Sequence, residues 1–220
     1  IGVRKDLQNV SPYDIFPKKK KAKTLRQLIG DLPSLKKMGE ISDDVFHSYR
    51  VFDERMLPWI EDLKEGQSAF ENTDSERIPH RIIDGIKILN KSKNGDKYAR
   101  WYWDKEGPCV HTRNDILSSQ NTVHPSDNRV FSIRELMRMM SIPEQFEWSN
   151  TKTKDLNNYS VLEKKVFLKK EELNIRHCLG EAVPTGVFES IASNIKKVLS
   201  KKSLTTPDVN KIVDDHKLYE

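Results

Sequence analysis

Leu25, Leu28, Ile29 and Leu32 step by threes and fours behind Thr24, which stands three residues ahead of Gln27. That spacing predicts a short helix with a capping box, ended by Pro33. Val45, Phe46, Tyr49, Phe52, Met56, Ile60 and Leu63 continue in similar steps and predict a second helical stretch over 42–63, kinked or split at Pro58. The period changes over 78–113. Ile82, Ile83, Ile86, Ile88, Tyr98, Trp101, Tyr102, Trp103 and Val110 are β-formers, and Asn94-Gly95 among them suits a hairpin turn, so a small sheet is predicted there. Residues 114–128 and 149–160 are polar and loop-like. Between them Ser132 and Glu135 form a second capping box, ahead of a stripe of Leu136, Met137 and Met140 that Ile142-Pro143 ends. Pro184 opens a strongly amphipathic helix carrying Val187, Phe188, Ile191, Ala192, Ile195, Val198 and Leu199, and Thr206-Pro207 opens a last one. Residues 1–7 read as a short apolar strand turning into a charged loop. The fold class expected is α+β, with no internal repeat.

Composition narrows the field. A chain of 220 residues holds one sizeable domain or two small ones, and 32% charged against 36% apolar residues allows only a modest core. A mean hydropathy of −0.71 and the lack of a long apolar run exclude a membrane-spanning helix. A formal charge of +5 and a pI near 9.0 suit a polyanionic partner, and equally a basic protein with solvated lysines. The run Lys18-Lys19-Lys20-Lys21 and the pairs Lys164-Lys165 and Lys169-Lys170 leave the same choice between a solvated face and phosphate attraction. Cys109 and Cys178 have neither metal-ligand spacing nor a disulfide framework, so no metal site is expected and a reduced cytoplasmic setting is. The opening Ile1-Gly2-Val3 reads like the end of a buried strand and suggests an excised fragment.

Three segments then occur in a telling order. Gly2-Val3-Arg4-Lys5-Asp6-Leu7 resembles the end of the eighth motif of the cytosine-C5 DNA methyltransferases. His124-Pro125, Arg129-Val130-Phe131-Ser132-Ile133-Arg134-Glu135, Ile142-Pro143 and Phe146 resemble the ninth: His-Pro, a capped Arg-Glu helix and a Pro-ended turn with an aromatic. Gly180-Glu181-Ala182-Val183-Pro184 resembles the tenth, with Glu181 where the family usually has Asn; a carboxylate cannot donate the amide hydrogen bond. Between the first two lies the family's variable target-recognition region. There Tyr98-Ala99-Arg100-Trp101-Tyr102-Trp103-Asp104 and Pro108-Cys109-Val110-His111-Thr112 resemble its common core, with Cys109 at a frequent Thr position.

The resemblance implies duplex DNA as partner and S-adenosyl-L-methionine as cofactor, the latter bound mainly by an N-terminal catalytic half. It implies a terminal strand of the cofactor domain at 1–10, a target-recognition domain at 11–165 with a small mixed sheet, and returning helices of the cofactor domain at 166–220. Around 164–170 an insertion is expected. Gly180, Glu181, Ala182 and Val183 would border the cofactor. Arg100, Arg113, Asn114 and Gln120 are the side chains expected to reach DNA, Arg suiting guanine and phosphate and Asn or Gln adenine, with Cys109, Val110, Arg129 and Arg134 contributed by the matched motifs. The Trp101, Tyr102 and Trp103 group favours a core role over a stacking surface.

No catalytic residue is expected. The family's chemistry needs a Phe-x-Gly-x-Gly cofactor loop, a Pro-Cys nucleophile loop and a Glu-Asn-Val strand, and the target cytosine must leave the duplex. Pro108-Cys109 lacks the glycine- or serine-rich sequel of the nucleophile loop and sits within the recognition region. The chain is therefore expected to read DNA without methylating it. It would be a fragment of the enzyme, a separate DNA-binding small subunit of a split enzyme, or a non-catalytic basic interaction module. Phe188, Ile191 and Ile195 would be left exposed and open to self-association or to docking on the catalytic half.

Overall fold

The computed structural model describes residues 11–91 and 95–199. The expected strand at 1–7, Asn94 of the expected turn and the expected helix at Thr206-Pro207 lie outside them. The described residues divide into two compact units: one takes 11–21 and 183–199, the other 22–182.

The larger unit holds two apolar cores. In the first, α1 (Leu25–Ile29) and α3 (Ile133–Met139) bring Leu25, Ile29, Ile133, Leu136 and Met137 together with Val45, Phe46 and Phe131. Both helices start as the spacing predicts: Thr24 accepts from the Gln27 amide and Ser132 from the Glu135 amide, and each is answered by the reciprocal bond. The second core gathers Trp59, Ile60, Leu63, Ala69, Tyr98, Leu117, Val123 and Val130. Trp101, Trp103 and Val110 are half-buried against the first core, in keeping with a packing role.

The helix expected over 42–63 does not form. Ser42 and Asp44 turn their side chains onto nearby amides, Ser42 accepting from Asp44 and Asp44 from Phe46, while the Val45 amide goes to Asn157. Ile41 bridges Ser48, and helix appears only at Glu54–Met56 and at α2 (Leu57–Ile60), with Pro58 in the first turn of α2.

The sheet is smaller than expected. β1 (His80–Ile83) and β2 (Ile86–Leu89) pair antiparallel, and the turn between them is Asp84-Gly85, both with positive φ, as a two-residue hairpin turn requires. Residues 97–130 contribute only isolated bridges, Ser68 to Ala99, Lys97 to Gln120, Arg100 to Val123 and Val123 to Val130. Their backbone groups find partners one at a time in different segments, so no ladder is built.

α4 (Thr153–Asn157) and α5 (Val161–Glu181) occupy a region that reads as loop and insertion. α5 buries Leu168, Ile175 and Leu179 in the first core, so it belongs with the larger compact unit, which runs to Ala182. The Ser160 hydroxyl and Glu163 supply its capping box. Lys164 and Lys165 part company: Lys164 is buried and donates to the Asp43 carbonyl at 2.9 Å, whereas Lys165, Lys169 and Lys170 are exposed.

In the smaller unit α6 (Thr185–Leu199) begins after Pro184, as expected, and packs on the turn Pro12–Ile15, with the Asn194 amide donating to the Phe16 carbonyl. Val187, Phe188 and Ile195 are exposed and Ile191 is partly so. Lys18, Lys19, Lys20 and Lys21 are exposed.

Candidate nucleic-acid interface

The segment 123–135 threads between the two cores: Val123 and Val130 face one, Phe131 and Ile133 the other. The polar residues interleaved with them are therefore buried and must satisfy one another. Arg129 is the hub. Its guanidinium meets both oxygens of Glu135 at 2.8 Å and reaches Asp127 at about 3.0 Å. Glu135 also caps the Ser132 amide at 2.7 Å, and the Ser132 hydroxyl lies 2.9 Å from His47 Nδ1. Burial alone would raise the Glu135 carboxyl, but Arg129, with His124 and His47 nearby, more than offsets it and holds the group well below the ordinary carboxylate range.

Arg100 is enclosed in the same region. It donates to the carbonyls of His124 at 2.8 Å, Asp127 at 3.2 Å and Ile60 at 2.7 Å, and to Asn128 Oδ1 at 2.6 Å. Arg134 is clamped by Asp44 and by the Glu144 carbonyl, with the Phe46 ring beneath it. Asn114 binds the carbonyls of His111 and Arg176 and accepts from Arg176. Arg100, Asn114, Arg129 and Arg134, which the sequence offers as DNA contacts, are buried, and most of their donors go to protein carbonyls and side-chain oxygens. In the order of the chain, an Arg aligned with a motif looks the same whether it points out or in; only the number of inward acceptors tells them apart.

Three expected contacts remain open to solvent. Arg113 is exposed, its guanidinium 3.4 Å from Asp115, Gln120 is exposed, and the Cys109 thiol is exposed. Val110 is half-buried against the first core. No Asp, Glu or His side chain hydrogen-bonds Cys109 among the described residues; its one contact is the Val110 carbonyl at 4.0 Å. A cavity of about 680 Å³ opens beside the loop His124–Asn128 and is lined by Lys36, Lys37, Tyr49, Glu54, Ser126 and Asn128. These lysines and polar loop residues carried no recognisable signal in the sequence.

The residues expected to border the cofactor fall in both units. Gly180 and Glu181 are the last residues of α5, Ala182 is its C-cap, and the open face of Gly180 is filled by the backbone of His111 and Thr112. Glu181 is exposed, with His177 3.5 Å away, and Val183 is exposed in the smaller unit. The glycine is explained by packing rather than by a turn.

Residues 1–197 match the family described as C-5 cytosine-specific DNA methylase. The chain belongs to that family. Among curated members, it is 30% identical over 191 residues to the type II methyltransferase M1.HgaI of Avibacterium volantium, covering 82% of this chain and 46% of that protein. It is 23% identical over 154 residues to the type II methylase M.HgiDII of Herpetosiphon aurantiacus, covering 64% of this chain and 39% of that protein. The chain thus spans less than half the length of these methylases. No helix among the described residues is long and apolar enough to cross a membrane.

Within this family member the buried network carries a pH signature. His124 Nδ1 accepts from the amides of Ser126 at 3.3 Å and Asp127 at 3.0 Å, so it holds no proton. Burial, opposed by Glu135 and reinforced by Arg129, pushes the imidazole down to about 4. The unfolded chain therefore takes up a proton near pH 6.5 that the folded chain refuses until about pH 4. Stability is expected to be full above pH 6.5 and to fall as pH drops to about 4, by about 3 kcal/mol in all. Urea melts at pH 7.5, 6 and 4.5 check this; identical midpoints would refute it.

Proposed function

We propose that this chain is the DNA-reading part of a type II cytosine-C5 DNA methyltransferase, and that the methyl-transfer chemistry resides in a catalytic part carrying the Pro-Cys nucleophile. The observation that carries this reading is the motif order in a member of the family. Segments resembling the ninth and tenth motifs and the recognition core occur in order, whereas the Pro-Cys pair at Pro108-Cys109 leads into Val110-His111-Thr112, and among the described residues its thiol hydrogen-bonds no acidic or basic side chain. The struts Arg100, Arg129 and Arg134 support it in a second way: they shape and stiffen a loop-rich surface, and leave the contact with DNA to exposed side chains. When bound, S-adenosyl-L-methionine supplies the methyl group; what this chain supplies is the grip on the duplex.

The test is binding of this chain to a mixed-sequence duplex between about 50 and 200 mM salt, where counterion release makes affinity fall steeply. Arg113→Ala is expected to weaken that binding, by ~1–3 kcal/mol on the preferred sequence if it reads a base. Labelled methyl transfer by the chain alone is expected at background. Salt-independent binding, or methyl transfer that Cys109→Ser abolishes, would overturn the proposal.

A further inference from the structure

The β1–β2 hairpin presents an unusual surface. By its register, Arg81, Ile83, Ile86 and Ile88 share one face, and His80, Ile82, Lys87 and Leu89 the other. Five large aliphatic side chains are exposed on it, Ile86 at 66%, on a ribbon too thin to cover itself. Water is a poor neighbour for such a ribbon, so its shape implies an occupant. The charges beside these residues say which kind. Over 80–91 the cations Arg81, Lys87 and Lys91 face a single acid, Asp84, at the tip, and Arg81 and Lys91 have no acidic partner among the described residues. A second copy of the chain would meet the same positive charge, whereas a DNA groove offers phosphates outside and thymine methyl groups within.

The root of the hairpin adds an independent sign. A cavity of about 260 Å³ there is lined by Arg55, Trp59, His80, Arg81 and Asn90 among others. The Trp59 indole N–H is buried without a hydrogen-bond partner. Arg55 is held by Asp53, which leaves Arg81 as the uncompensated charge. An acceptor oxygen brought to this cavity would supply what the protein leaves open.

We propose that the Ile82–Leu89 hairpin enters the major groove, its isoleucines packing on the 5-methyl groups of pyrimidines while Arg81 and the cavity at its root take a flanking phosphate. The inference rests on the DNA-reading function above and names the element that does the reading. A two-stranded ribbon fits a groove about 12 Å wide, and the thymine methyl is the one apolar mark that the groove displays.

The experiment selects preferred duplexes from a random pool with the whole chain, then replaces each thymine in the selected site by uracil. At least one replacement is expected to weaken binding about three- to fivefold. Ile86→Ser, at an exposed position where folding is not at stake, should bind the thymine and uracil duplexes alike. Arg81→Gln should leave the selected sequence unchanged and lower the salt slope by about one. Two outcomes overturn the hairpin's role while DNA reading stands: a selected site indifferent to uracil, or hairpin variants that change only the sedimentation mass. If the wild-type chain selects no sequence at all, the functional reading and this inference fall together.

Discussion

Glu135→Ala is expected to lower the unfolding free energy by about 3–5 kcal/mol, a large part of the 5–15 kcal/mol typical of a domain. The reason lies in what remains. Arg129 is almost wholly buried, and Glu135 neutralises it through two parallel bonds of 2.8 Å. With the carboxylate gone, the guanidinium keeps the shared Asp127 and the neutral Val130 carbonyl, the Ser132 amide loses its cap, and the charge stays in the interior. Glu135→Gln, of nearly the same shape, should cost less but still destabilise, because a neutral amide cannot balance the cation. Urea unfolding reads both, as a lowered midpoint with unchanged slope. A loss under about 1 kcal/mol for Glu135→Ala would mean that water or another acid replaces the carboxylate, and the network would lose its structural standing. Acid should mimic the mutation. Because the folded Glu135 carboxyl lies below its ordinary value, its contribution is present above about pH 4.5 and is lost at lower pH, overlapping only the acid end of the His124 window.

Local chemistry was legible in the sequence wherever it was self-contained. The capping boxes at Thr24-Gln27 and Ser132-Glu135, and the helix after Pro184, are decided by residues within a turn of one another, and they form as read. Elements whose form depends on distant partners were not legible. Val45 to Leu63 steps like a helix, yet Ser42 and Asp44 take the amides that a helix would need, and Asn157, far along the chain, takes another. α5 escaped notice because its inward face mixes Lys164 and Arg176 with Leu168, Ile175 and Leu179, while Leu162, Val166 and Leu173 lie outward. A hairpin was anticipated in kind at Asn94-Gly95, which lies partly outside the described residues; the described one turns at Asp84-Gly85, an equally good signal that the isoleucines flank. The same limit governs the interface. Arg100 and Arg113 are equally basic in sequence, and what separates them is that three carbonyls and an amide oxygen converge on one guanidinium, whereas among the described residues the other is hydrogen-bonded to Asp115 alone.

The second large effect is expected at Gly180. In the sequence it reads as a turn glycine, but it is helical, one residue from the end of α5, so backbone freedom is not what it supplies. A Cβ there would sit 2.5 Å from Thr112 Cα and closer still to the Thr112 amide nitrogen and the His111 carbonyl carbon. None of these is the yielding tip of a side chain. The neighbouring contacts also hold the approach in place: Asn114 donates to the Arg176 carbonyl at 2.9 Å, Arg176 returns bonds to Asn114, and the Arg176 guanidinium is tied to Glu172 at 2.9 Å. Alanine would gain about 1 kcal/mol of helix propensity, against an overpacking cost of about 3 kcal/mol or more where backbone meets backbone. Gly180→Ala is therefore expected to destabilise by at least about 2 kcal/mol, and to loosen the seating of α5 on the loop that carries Arg113. Hydrogen exchange should show it first as faster opening of the last turns of α5. The sign decides the matter: a turn-free helical glycine with open space beside it would be stabilised by alanine, and a raised urea midpoint for Gly180→Ala would remove the close approach of α5 to the Thr112 backbone from the account of this fold.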